Sequence, residues 1–492
     1  MRRVHFHSMS SELNTSSAEE EEPRRTRSWL QRVSKYILDP RRIIHRFFLH
    51  FLLCLFAPGV LSHDAMFATF EGPLLTWLSI DHEDFGLLYS LPTLAGIVSA
   101  PTASLVLRFG TTRLIVFSGA LVFTGCLLVG WAVQVQSFTL LLTGRVLFAL
   151  FQSVLSSVAS LVTFRLFKAE SSRALAYSLI IFSNRVGAIS GFFFSGRVLS
   201  LVNDRVADAV WLSIIPTAVA FFTTSSFAYF YRGTAIARLV RPLLEPRRVA
   251  AVETGGVIQP SLLWKLPTPF WTLWILIGAV YGCILPFETV AVNFLQEQYG
   301  LDPTSAGSVL SLCPAFALLS PVFSSVVYSA GRQVTCAVLA TGCITIAMFS
   351  MTVDLQWQAS TFMIILGTGY MMATNVVWVL VPQIIPEEGP LQTLAIGVSG
   401  VSNSLFIAGG NYLAGYLRDS SGSYQMTLIM FTLLGFTSLV CSVKLAIDYY
   451  VGLWGKGIRY VPLDVGDDEV RIHRLSTPPG GLVDNHFGAV FK

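Results

Sequence analysis

PTASLVLRFGTTR (residues 101–113) closes one apolar run of the chain, and PVFSSVVYSAGRQ (residues 321–333) closes another about 220 positions later. Both open on a proline, carry a serine three residues on, and near their ends have a glycine with an arginine one to three residues after it. An echo at this separation indicates a chain built from two similar halves. Working outward, apolar runs of about 20 residues, the length a helix needs to cross a bilayer core, lie near 47–70, 85–107, 114–135, 138–163, 174–198 and 209–230. They resume near 270–294, 305–329, 334–353, 359–383, 391–417 and 424–447. The composition agrees: of 492 residues, 53% are hydrophobic and 13% charged, with a mean hydropathy of +0.62, where soluble domains carry about 25% charge. The reading is an all-α membrane protein with twelve transmembrane helices in two pseudo-symmetric six-helix bundles.

Charge sets the expected orientation. With twelve spans, the loops on the side of both termini carry Arg108, Arg113, Arg165, Lys168, Arg173, Arg332 and the six basic residues of 231–268, whereas the opposite loops carry Arg197, Arg205 and Arg418. The positive-inside rule then places both termini in the cytosol. The expected organisation is a disordered cytosolic tail (1–46), an N-terminal bundle (47–230), a central cytosolic loop (231–268), a C-terminal bundle (269–447) and a second cytosolic tail (448–492). The first 46 residues hold ten Lys and Arg and an acidic run at Glu19–Glu22, with no apolar stretch of signal-peptide type. The seven cysteines all fall inside apolar segments and form no CxxC pair, so neither a disulfide framework nor a zinc site is indicated.

The informative residues are the charges inside the spans. Arg185 sits in the middle of ALAYSLIIFSNRVGAISGFFFSGRVL (174–199). Such a charge costs at least ~2.5–3.5 kcal/mol at bilayer depth and therefore faces water, a partner or a ligand. The expectation is a substrate contact; the alternative is a tie to backbone carbonyls. Arg145 stands near the start of span four and can snorkel to the interface. Asp64 follows His63 toward the far end of span one, where the pair either titrates together or caps a frayed helix end; His50 reads as interfacial. Glu288 follows Pro286 deep in span seven, where a proline can break the helix and expose carbonyls. Spans five and seven belong to opposite halves, so an Arg185–Glu288 pair across a central cavity is expected. Tyr281, Trp378, Tyr370 and Tyr412 are candidate cavity aromatics, and the run GVSGVSN (397–403) suits close helix approach. Nothing suggests an enzyme, a cofactor, a metal or nucleic acid: there is no phosphate-binding glycine loop, ligand cluster or nucleophile elbow.

Two six-span halves joined by a central loop resemble the major facilitator superfamily, whose substrate site lies near the midplane between the halves. The family's gating turn resembles G-x-x-x-D-[RK]-x-G-[RK], which maps onto Arg108, Gly110 and Arg113 in the first half and Gly331 and Arg332 in the second. The position of its aspartate, which caps a neighbouring helix, is taken by Leu107 and by Tyr328.

A further set of residues, His63-Asp64 with Glu71-Gly-Pro73, Phe167-Lys168, SNRVG (183–187), Pro286-Phe287, SPVF (320–323), Trp378 and Ile385-Pro-Glu387, resembles the lysosomal dipeptide-transporter branch of that superfamily from span one to span twelve. The resemblance implies a uniporter exporting dipeptides, with Arg185 on the substrate carboxylate. The glutamate that this branch uses for the amine falls on Ser153, so either Glu288 takes the amine or the substrate is an organic anion. The resemblance also implies a glycosylated lumenal accessory subunit, since the sequon Asn14-Thr-Ser lies in the tail expected in the cytosol. Tyr460-Val-Pro-Leu463 fits a lysosomal sorting pattern, with the plasma membrane as the alternative. The rival readings are a proton-coupled amino-acid or organic-anion symporter, and a non-transporting sensor or scaffold.

Overall fold

The computed structural model describes residues 43–97, 109–167, 170–232, 260–319, 331–355, 358–385 and 390–452, with residues 106, 322–323 and 327 between them. Arg108, Leu107, Lys168, Tyr328, Pro386-Glu387, residues 1–42 and 453–492 of the tails and most of the central loop lie outside the described residues. The first half contains α1 (Ile43–Cys54), α2 (Phe56–Thr69), α3 (Glu71–Leu78), α4 (His82–Gly96), α5 (Thr111–Gln134), α6 (Phe138–Leu166), α7 (Glu170–Leu201), α8 (Val206–Ser213) and α9 (Ile215–Arg232). The second contains α10 (Thr268–Tyr299), α11 (Pro303–Leu310), α12 (Leu312–Phe316), α13 (Gln333–Thr352), α14 (Ala359–Ile384), α15 (Pro390–Ser421) and α16 (Gln425–Tyr450).

Among the described residues, nine helical segments are long and apolar enough to cross a membrane. The remaining three positions of the twelve-span pattern are occupied by α4, which carries Pro92 inside it and is only 15 residues long as described; by the shorter apolar stretch Pro303–Leu319; and by α15, whose serines, glycines and asparagines dilute a 32-residue helix. Local chemistry explains several ends. Asp302 accepts from the Thr304 and Ser305 amides at 3.0 and 3.1 Å with Pro303 at the first helical position, which starts α11. Gly110 (φ +81°) precedes α5 and Gly331 (φ +62°) precedes α13. The echoed turns of the two halves thus share a glycine at positive φ, which that residue adopts without a Cβ penalty.

The packing repeats as the sequence does. In the first half α2 packs on α7 and α9, α5 on α6 and α9, and α4 on α6. The second half reproduces each pairing: α10 on α15 and α16, α13 on α14 and α16, α12 on α14. The halves meet through α4 with α15, α7 with α11 and α12, and α2 with α10. Because lipid is as apolar as leucine, such contacts depend on close backbone approach rather than on water exclusion. A Cβ at Gly125 of α5 would lie 2.8 Å from the Phe148 amide of α6, and one at Gly144 of α6 3.0 Å from the Val129 amide of α5.

Three expectations from the sequence are corrected. Pro286 does not break its helix: α10 runs unbroken from Thr268 to Tyr299. The ring is accommodated by Gly410 of α15, where a Cβ would stand 2.7 Å from Pro286 Cγ and 2.8 Å from the Gly282 carbonyl that a proline at 286 cannot satisfy. Gly410→Ala is accordingly expected to cost about 1–3 kcal/mol through overpacking, read as a lowered melting temperature in detergent. His50 is not interfacial; it is fully buried, with Nε2 2.9 Å from the Ala176 carbonyl. Gly397 and Gly400 face open space, since a Cβ on either would meet nothing within 4 Å, so this part of the small-residue run widens a cavity instead of tightening a seam.

Candidate functional site in the cavity between the halves

α7 carries Arg185 toward the second half, where one guanidinium nitrogen donates to the Tyr370 hydroxyl at 2.7 Å and the guanidinium carbon lies 4.3 Å from that ring's centre. Tyr370 and Trp378 lie about two turns apart on α14, and the Trp378 indole donates to the Tyr281 hydroxyl of α10 at 2.8 Å. These residues, with Glu288 and Asp64, line a cavity of about 530 Å³ between the halves. Arg185 is held by a phenol and a π face, both uncharged, and its Nε has no partner among the described residues. Glu288 is 9% exposed, and its Oε1 is likewise unpartnered. The expected Arg185–Glu288 ion pair is not formed; no contact within 4.0 Å joins them. Tyr370 takes one of the guanidinium N–H groups instead. A guanidinium and a carboxyl group that form no contact ion pair therefore border one cavity.

Asp64 behaves differently. It accepts from Arg145 at 2.7 Å, and the guanidinium lies beneath Tyr89 and Phe67, 4.3 and 4.8 Å from their ring centres, with Nε donating to the Leu88 carbonyl. Arg145 is only 2% exposed, so it is a buried ion-pair partner and not a snorkelling residue. Asp64 does not cap a helix end, because α2 continues to Thr69. Nor does it pair with His63: one residue apart on a helix, the two point about 100° apart, and His63 Nδ1 lies 2.9 Å from the Ser213 hydroxyl of α8.

Ser153 lines a second cavity of about 510 Å³ with Gln152, Ser156, Gly397, Gly400 and Ser404, joined to the first through Asp64, Tyr89 and Thr93. Its hydroxyl donates to the Ala149 carbonyl of its own helix at 2.9 Å. Tyr412 lines neither; its hydroxyl donates to Glu83 at 2.7 Å. The reading of the sequence missed Asn184, Asn411 and Thr374, which border the Arg185 cavity. An amide in a lipid-spanning segment is a signal of the same kind as a charge, only weaker. Gly110 and Gly331, expected from the sequence at the gating turns, stand at the turns described above, and Arg113 and Arg332 lie within three residues of them.

Two pseudo-symmetric helical bundles around a polar central cavity define a membrane carrier. The chain belongs to the Major Facilitator Superfamily, whose family model matches residues 43–390; members of that family are transporters, not enzymes. Among curated proteins the chain is similar to the lysosomal dipeptide transporter MFSD1 of Danio rerio, 22% identical over 422 residues, covering 84% of this chain and 89% of the relative. Among solved structures it is similar to a bacterial homologue of the human lysosomal transporter Spinster in an inward-facing, unoccupied conformation. The TM-score is 0.64 at 13% identity, covering 84% of this chain and 99% of that one, a likeness of fold.

Proposed function

We propose that the chain is a uniporter for small zwitterions, dipeptides above all, across a lysosome-type membrane. The supporting observation is the pair of unneutralised opposite charges, Arg185 on one half and Glu288 on the other, facing a single cavity. A dipeptide supplies a carboxylate for the guanidinium fork and an ammonium for the carboxylate, so each buried charge gains a partner only when the solute is present. A dicarboxylate would satisfy Arg185 and repel Glu288. Tyr281, Tyr370 and Trp378 offer aromatic surface to a side chain. The relative that is a lysosomal dipeptide transporter supports the same substrate class. The Lys/Arg bias supports cytosolic termini, which puts the loops after odd-numbered spans in the lumen. Their short connections, such as 135–137 and 202–205, are consistent with the shielding accessory subunit implied by the resemblance.

The test is thermal stabilisation of the purified protein. A ligand at about 100 times its Kd stabilises the folded state by about 2.7 kcal/mol. A dipeptide with free termini is expected to raise the melting temperature, and its amino-acetylated and carboxy-amidated forms to raise it far less. Equal stabilisation by a dicarboxylate, or none by any dipeptide, would rule the reading out.

A further inference from the structure

The seam between α4 and α15 is closed at the end away from Ile43 and Tyr450, the distal end. There the N-terminus of α4 lacks a cap of its own: Asp81 is the N-cap residue, in extended backbone, yet its side chain makes no capping bond. The bonds come instead from Asp419 of the other half. Its Oδ1 accepts from the His82 amide at 3.2 Å and its Oδ2 from the Glu83 amide at 2.7 Å. Next to it Tyr412 of α15 donates to Glu83, and one turn further Ser90 donates to the Ala408 carbonyl at 2.7 Å. Gly415 brings α15 against the His82 carbonyl, and a Cβ at Gly86 would lie 2.5 Å from the Asn411 carbonyl. Beyond Ser90 the helices separate: Thr93, Gly96 and Ile97 face Gly397, Gly400 and Ser404 across the second cavity.

We propose that Asp419 is the latch of the distal gate, a carboxylate carried by one bundle that caps a helix of the other and must withdraw before the distal side can open. The carboxylate at a helix N-terminus is favourable both as hydrogen-bond acceptor and as counter-charge to the helix dipole. The same bonds can form only while α4 and α15 touch, so they stabilise one arrangement of the halves and not the other. That is the differential interaction a conformational switch requires. The family's aspartate position in the turns around Gly110 and Gly331 holds leucine and tyrosine. Among the described residues, this carboxylate cap between bundles stands at the distal end, and the latch favours the state in which the distal side is shut. Neighbouring charges support this role without crossing the seam: Glu71 pairs with His82 within the first half at 2.8 Å, and Arg418 with Glu297 within the second at 2.8 Å.

Ser90 gives a direct readout, because it lies within the closed seam at 4% exposure. Ser90→Cys in full-length purified protein is expected to react slowly with a polar maleimide above the background of the seven native cysteines. Asp419→Ala added to it is expected to raise that rate about tenfold, the loss of a helix cap, while Asp419→Asn, which keeps one acceptor, gives a smaller rise. Ser118→Cys, fully buried in α5 away from the seam, serves as the control and should not respond to Asp419→Ala. An unchanged rate at position 90 overturns the latch. So does an equal rise at positions 90 and 118, because it shows that Asp419 supports the fold as a whole. Neither readout depends on which solute is carried.

Discussion

Asp64→Ala is expected to destabilise the folded protein by about 3–5 kcal/mol, the usual result of leaving one member of a buried ion pair without its partner. The stranded group is Arg145, whose side chain is 3% exposed and whose remaining contacts are a single carbonyl and aromatic faces. The converse change is milder. Arg145→Ala leaves Asp64, whose side chain is 33% exposed and borders both cavities, where water can solvate it. The melting temperature of Asp64→Ala should therefore fall well below that of Arg145→Ala. Replacing the pair by apolar residues of similar volume, as in Asp64→Leu with Arg145→Met, should recover much of the loss. If the two single variants melt together, burial of the guanidinium does not control the energetics of this pair.

The second large effect concerns binding. Arg185→Ala is expected to weaken dipeptide affinity by about 30-fold or more, since truncating one member of a buried, hydrogen-bonded charge pair costs about 2–5 kcal/mol and each 1.4 kcal/mol is tenfold. Arg185→Lys should recover only part, because an ammonium keeps the charge but loses the planar fork and the stacking on Tyr370. Glu288→Gln should act on the other end of the solute. Free dipeptides should then bind no better than amino-acetylated ones, whereas the wild type prefers the free amine. Isothermal titration against the three variants reads all of this directly. Affinity within threefold of the wild type in Arg185→Ala would remove that residue from the site.

Much of the architecture is legible in the sequence because the bilayer imposes a length on every span, and the turns at 101–113 and 321–333 reveal the duplication. Arg185 is legible for the same physical reason: a charge in an apolar run must be accounted for. What stays hidden is which partner each charge has. Asp64 and Arg145 are 81 positions apart, and only the packing of α2, α4 and α6 decides that Arg145 turns inward and takes the carboxylate. Glu288 and Arg185 were the natural couple by sign and by half. Tyr370, a residue of ordinary appearance, accepts from the guanidinium at 2.7 Å instead. Glycines 397 and 415 also look alike in sequence, yet one lines a cavity and the other abuts a backbone carbonyl.

That contrast along α15 has a mechanical consequence. The 18 positions between Gly397 and Gly415 amount to about 27 Å of helix at 1.5 Å per residue. With the fulcrum at the tight contact near Gly415, a tilt of about 10° sweeps the far end through roughly 5 Å, enough to admit or exclude a peptide backbone. A methyl group at Gly415 would act on the far aperture from a helix length away.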